Sequence, residues 1–496
     1  MLFVIVGVCV LIAVIAMNGA IGWALAPILV AFCVWLIVAA PVRTTFFLLL
    51  FLSLCTDRPG DAGGLWESPF VNIGGLLSYN MSNILKIEAL KISGISLTLF
   101  LLLLTRIHRM LVGRTVDTPA AVAPAQPINW ALLVGLVSVV WLITWGVISG
   151  GDGQMAKVQT QVYLPMLATA FVLGASFRGD RDYRTFGHVI VAAACCKATM
   201  ALWARHILPD AIPDKFGVMR EVEYVTNHGD SLLFTCACLA LIVPVFFKPG
   251  WRTLRWCLLF LPLVAAGMVA NDRRLVWVEL AMGLALLPLL SPQALISRHL
   301  RRITILLSPV ILLYVGVGWF SASRVFGPVK LFRSVMSSQR SDGSIDRSTL
   351  FRDIENFNLI YTFQANPFLG TGFGHPFIAA VENADLSGFK EYPFLPHNSL
   401  LGLMAFCGGF GVIGLFTPWV IGLFFAARSQ FMARSPDQSI AAAIAIGNLI
   451  AYLMHVWGDI GFTEPTAIFT VGASLAIAGQ LAVSTGAWRR AHVTAR

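Results

Sequence analysis

The run "ISLTLFLLLL" (Ile95–Leu104) carries no charge, and its only polar side chains are Ser96 and Thr98. "LFVIVGVCVLIAVIA" (Leu2–Ala16) is the same in kind. About twenty such residues wound as a helix cross a hydrocarbon core of roughly 30 Å, and a run slightly short draws in its flanks. Comparable runs recur along most of the chain. Of 496 residues, 57% are hydrophobic and 12% charged, with mean hydropathy +0.78, whereas a soluble chain carries about 25% charged residues. The pattern specifies a polytopic integral membrane protein. It is all-α, because each span must satisfy its own backbone polar groups in lipid.

Fourteen segments fit: 2–17, 19–40, 44–56, 91–105, 129–149, 163–177, 186–206, 231–247, 256–271, 275–290, 303–320, 398–427, 439–457 and 466–485. The first three are short and closely spaced, so the expectation is 12–14 transmembrane helices. "MLFVIVGVCV" lacks a basic leader and reads as a first span, not a cleaved signal peptide. Three regions follow: 1–320, spans with short loops; 321–397, one large loop; 398–496, C-terminal spans and a tail. All nine cysteines lie in or beside apolar segments, without metal-ligand spacing.

Basic residues orient the chain. One set of loops, with the C-terminal tail, holds 18 basic residues against four acids, among them Arg43, Arg106, Arg184, Lys248 and Arg434. The opposite loops hold 16 against 20. The first set is expected in the cytoplasm, with both termini. The net charge of +10 is therefore a topology signal that suits anionic membrane lipids, not nucleic acid.

This orientation puts residues 57–90, 207–230, the turn "NDRR" (271–274) and the loop 321–397 on the outer face. Within the loop, Leu350, Phe351, Ile354, Phe357, Leu359, Ile360 and Phe363 recur at helical spacing. They predict a helix lying on the membrane surface or capping a cavity. Arginines at this boundary run against the topological bias. Arg273 and Arg274 either pair with Asp272 or Glu279, or form an anion site, since guanidinium groups match phosphate oxygens bidentately. Arg220 has Glu221 and Glu223 beside it, and His228 follows in the same loop; His228 alone reads as a boundary histidine. Gly370, Gly372 and Gly374 alternate in "NPFLGTGFGHPF" (Asn366–Phe377), which reads as a turn bringing the loop back over the membrane. His397 follows a proline and opens a span at the outer mouth of the bundle, where an imidazole can accept a proton near neutral pH. Below it, Gly408, Gly409 and Gly411 would let a neighbouring helix approach. Asp459 sits in a short outer turn, able to orient His397 or Arg220 or simply to cap a helix. "DRD" (Asp180–Asp182) looks metal-like but falls on the cytoplasmic side.

"PHNSLLGLMAFCGGFG" (Pro396–Gly411) resembles the signature of the bacterial O-antigen ligase and O-antigen polymerase family. His397, Asn398, Gly408 and Gly411 fit its spacing. "NPFLGTGFG" is similar to that family's upstream glycine element, and "NDRRLVWVELAMG" to its arginine-containing helix start. The resemblance covers about 215–460. It implies a GT-C-like, inverting, metal-independent glycosyltransferase needing no cofactor. The donor would be a polyprenyl (undecaprenyl) diphosphate-linked glycan and the acceptor a glycan or lipid hydroxyl. The site would face the periplasm from the bacterial inner membrane. His397 would be the general base or orient the acceptor, while Arg220 and one of Arg273 or Arg274 would hold the diphosphate. Asp272 stands where the family usually has serine, and Arg274 where it has a small residue. The loop is charge-neutral, with seven basic and seven acidic residues. A second reading is a flippase or secondary transporter, whose ionisable residues would gather near the bilayer midplane; here only Glu279 and Lys197 do so.

Overall fold

Among the described residues, the chain is helical where apolar residues run unbroken. The computed structural model describes residues 35, 37–56, 71–78, 81, 92–111, 123–207, 211–213, 219–221, 225–287, 299–321, 326, 329, 347–382, 391–461 and 464–488. The expected spans 2–17 and 19–40 lie outside these, apart from 35 and 37–40. The helices are α1 (Val42–Cys55), α2 (Val71–Ser78), α3 (Gly94–Leu111), α4 (Gln126–Ile148), α5 (Gly153–Thr160), α6 (Tyr163–Gly174) and α7 (Asp180–Ile207). There follow α8 (Gly229–Phe247), α9 (Trp251–Asn271), α10 (Leu275–Ala285), α11 (His299–Phe320), α12 (Arg347–Ala365), α13 (Ser399–Met432), α14 (Pro436–Gly458) and α15 (Pro465–Ser484). By length and composition, seven are able to cross a membrane: α4, α7, α8, α9, α13, α14 and α15. Five shorter apolar helices lie among the described residues. The chain is a polytopic membrane protein. One departure from all-α is a ribbon of two three-residue strands, β1 (Ala211–Pro213) and β2 (Met219–Glu221), which pairs Ile212 with Arg220.

Helix α15 is buried along almost its whole length and packs against α6, α8, α13 and α14. Small residues allow this: a Cβ on Gly472 would come within 2.8 Å of Thr169 on α6, the close approach that holds helices together in lipid. Outer helices turn the opposite way and expose Trp130, Val137, Leu258 and Leu259. Polar contacts separate the two ends of the bundle. At one end Asp437 meets Lys248 at 3.4 Å and Arg184 at 3.6 Å, and Asp182 meets Arg43 at 3.9 Å. The other end gathers the starts of α8, α10 and α13 with the end of α14.

Helix α12 buries a polar stripe. Glu355, Asn358 and Thr362 are fully buried against the fold, whereas Leu350, Phe357, Ile360 and Tyr361 are exposed. Asn358 brackets the backbone of Val381 with two 2.9 Å hydrogen bonds, and Thr362 accepts from Ile378 N–H at 2.8 Å. The buried polar stripe thus stitches the returning loop onto the helix, with Leu359 buried beside it, while Leu350, Phe357, Ile360 and Tyr361 face outward.

Candidate functional site

Asn398 caps α13, accepting from Leu401 N–H at 3.1 Å, and this fixes where His397 stands. The backbone N–H of His397 donates to Glu355 Oε1 at 2.6 Å, and its Nδ1 lies 3.1 Å from Glu355 Oε2. Phe351 packs edge-on against the imidazole at 5.6 Å, with Tyr392 at 6.2 Å. Glu355 is wholly buried, whereas the His397 side chain is 28% exposed. Among the described residues Nε2 has no hydrogen-bond partner. The carboxylate beside His397 is therefore Glu355, from α12, and not Asp459. The sequence held a sign of it: Glu355, Asn358 and Thr362 share one helical face amid apolar positions.

The glycine element docks between α4 and α13. Gly370, Gly372 and Gly374 all have positive φ. Helix α13 breaks at Gly408 (φ 58°, ψ −176°), a conformation open essentially to glycine alone. The loop lies in that break. Gly372 N–H donates to Phe406 O at 2.8 Å, and Gly409 and Phe410 N–H donate to Pro367 and Phe368 carbonyls at 2.8 and 3.1 Å. A Cβ on Gly370 would stand 2.3 Å from Phe406 O. On its other side the loop crosses α4, where Phe373 N–H donates to Leu142 O at 3.1 Å. Gly408 thus receives the loop, not a neighbouring helix. Gly411 does face a helix, since its Cβ position is 3.1 Å from Leu142 on α4. His375 is held by Ser149 Oγ at 2.9 Å and Gly146 O at 3.1 Å. Gln159 on α5, which the sequence did not single out, accepts from Gly374 N–H at 2.6 Å and donates to Phe394 O at 2.9 Å.

A second cluster joins α8, α10 and α14. Arg273 is buried, with Nη1 at 2.7 Å from Nδ1 and 3.1 Å from Nε2 of His228 and Nη2 donating to Thr226 O at 3.3 Å. Asp459, capping α14, sets its carboxylate on His228 Nδ1. Burial pushes the Asp459 carboxyl up, but His228, His455 and Arg273 together hold it well below the usual carboxylate range. Deeper in the bundle Glu279 meets His455 at 2.8 Å and accepts from Thr235 Oγ1 at 3.1 Å. Arg274 is half-buried at the start of α10. The backbone of Arg220 lies in β2, and its side chain is outside the described residues.

Ser399 ties the two clusters together. Its Oγ donates to Asp459 O at 3.1 Å and accepts from Gly461 N–H at 3.1 Å. His397, two residues before it, and the Arg273–His228–Asp459 group thus belong to one end of the bundle. Asp182 of the "DRD" triplet belongs to the opposite end, where it accepts from Arg178 N–H at 2.7 Å. Among the described residues no three His, Cys, Asp or Glu side chains converge as metal ligands. The site joins a part-exposed imidazole, oriented by a carboxylate, to a buried guanidinium at the same end of the bundle. Comparison with protein-family models and with curated proteins gives no match for this chain.

Proposed function

We propose that the chain is an inverting, metal-independent glycosyltransferase, GT-C-like and related to O-antigen ligases and polymerases. It moves a glycan from a polyprenyl diphosphate carrier to an acceptor hydroxyl at the periplasmic face of the bacterial inner membrane. The reading is carried by His397: it opens α13 with Nδ1 on a buried carboxylate and Nε2 left to a substrate. In the reaction the acceptor oxygen attacks the anomeric carbon as its proton passes to Nε2. The carbon–oxygen bond to the carrier breaks, and polyprenyl diphosphate leaves with the electron pair. Fixed guanidinium donors favour the negative charge that develops there. Arg273 and Arg274 stand at the start of α10 for this role, and Arg220 in β2 is the third candidate. The basic end of the bundle lies in the cytoplasm with both termini, and the exposed apolar face of α12 rests in the outer leaflet.

A specific observation favours the transporter alternative. Two ion pairs are buried among the spans, Glu279–His455 and Lys197–Asp230, the latter at 3.6 Å, and ionisable residues at membrane depth often mark transport paths. The full chain reconstituted in vesicles with a lipid-linked oligosaccharide and an acceptor glycan separates the readings. Longer or transferred product supports the transferase. Movement of intact donor across the bilayer without product supports the transporter.

A further inference from the structure

We infer that Glu355 is a positioning residue for His397, holding its imidazole as the Nδ1–H tautomer so that Nε2 presents a lone pair to the acceptor hydroxyl; this rests on the transferase reading above. Three observations converge on it. Oε1 takes the backbone N–H groups of His397 and Asn398 at 2.6 and 3.4 Å, which fixes the carboxylate, and Oε2 then lies 3.1 Å from Nδ1. An ionised carboxylate only accepts, so a bond to Nδ1 places the ring proton there. Glu355 is fully buried on α12 with no exposure to water, and a polar group so placed depends on its hydrogen-bond partners. Phe351 and Tyr392 wall the ring and limit its rotation. Asp459 is committed elsewhere, because its carboxylate is bonded to His228.

The arrangement also gives α12 a reason for its buried polar stripe. Its polar stripe carries Glu355 to the mouth of α13, and Asn358 and Thr362 hold that stripe against the loop. During transfer the acceptor proton arrives at Nε2, making an imidazolium whose charge Glu355 offsets. When polyprenyl diphosphate has left, that proton returns to solvent and the neutral tautomer is restored.

The test compares wild type, Glu355→Gln and His397→Ala in membranes at matched expression, with a lipid-linked oligosaccharide as donor. Glutamine keeps the shape and can still accept the backbone N–H bonds, but it removes the charge. Glu355→Gln is expected to lower kcat on the order of tenfold or more, as loss of the carboxylate that orients a general-base histidine does, with donor KM unchanged. The acid limb of its pH–rate profile moves to lower pH, because the imidazolium loses its counter-charge. If His397→Ala is inactive while Glu355→Gln keeps the wild-type rate and profile, the positioning role is overturned and the transferase reading survives. A rate lowered equally at all pH values, with no movement of the acid limb, overturns it too and leaves Glu355 a structural support. Wild-type rates in both variants overturn both readings. Nitrogen NMR of histidine-labelled protein, differenced against His397→Ala, reads the tautomer without requiring turnover. An Nε2–H signal there overturns the inference even if Glu355→Gln folds poorly.

Discussion

His228 and His397 stand at the same end of the bundle, each against a carboxylate, and their second nitrogens distinguish them. Both ring nitrogens of His228 are within 3.1 Å of Arg273 Nη1, whereas His397 meets Glu355 through Nδ1 and its Nε2 has no hydrogen-bond partner among the described residues. Arg273 is the harder residue to replace, because lysine keeps the charge but not the planar fork. Arg273→Lys is expected to weaken donor use roughly tenfold, read as kcat/KM, since one charge-assisted hydrogen bond lost is about 1.5–3 kcal/mol; unchanged donor kinetics would remove Arg273 from the diphosphate site. Asp459 gives a pH prediction. Its folded pKa is depressed, so its contribution to stability is present above the unfolded value of ~3.9 and is lost as pH falls below it. Thermal unfolding of the detergent-solubilised protein should lose stability below about pH 4, and Asp459→Asn should flatten that acid decline. An unaltered decline would contradict the pairing. His397, Arg273 and Asp459 were all visible in the sequence as polar residues at a boundary. Their pairing was not, because Glu355 is 42 residues from His397 and Asp459 is 231 from His228.

Helix α13 shows what a single element can and cannot disclose in advance. Its apolar run from 398 to 427 made a span plain, and it is a helix over Ser399–Met432. Nothing in that periodicity marked the break at Gly408, since a glycine in an apolar helix usually serves close packing. The partner that explains it, Gly370, is remote in sequence, and the two backbones meet only because neither carries a Cβ. Gly408→Ala should therefore cost about 1–3 kcal/mol from its backbone conformation alone. In addition, a Cβ there would lie 2.4 Å from Gly370 N. Its thermal midpoint should fall well below that of Gly409→Ala, whose Cβ would meet nothing closer than 3.4 Å; equal midpoints would contradict the docked loop. Helix α12 was legible as a helix from its spacing. The direction of its faces was not, because in a membrane protein an apolar residue has two sinks, core and lipid.

The whole molecule is a bundle with unlike ends. Hydropathy disclosed the spans because lipid leaves the backbone no alternative to helix, and twelve of the expected segments coincide with helices. The short pieces were harder: α5 and the β1–β2 ribbon have neither length nor apolar periodicity to announce them. If the basic end is cytoplasmic, cysteines placed at Arg184 and Arg434 should react with an impermeant thiol reagent only in inverted vesicles, and one at Ile378 only in intact spheroplasts. The opposite pattern would reverse the orientation. The most direct measurement is transfer of glycan from a lipid-linked donor in membranes holding wild type or His397→Ala at matched expression, with donor and product resolved on a gel. The account predicts that His397→Ala makes no product while donor accumulates. Product at the wild-type rate would contradict it and leave His397 a structural cap on α13.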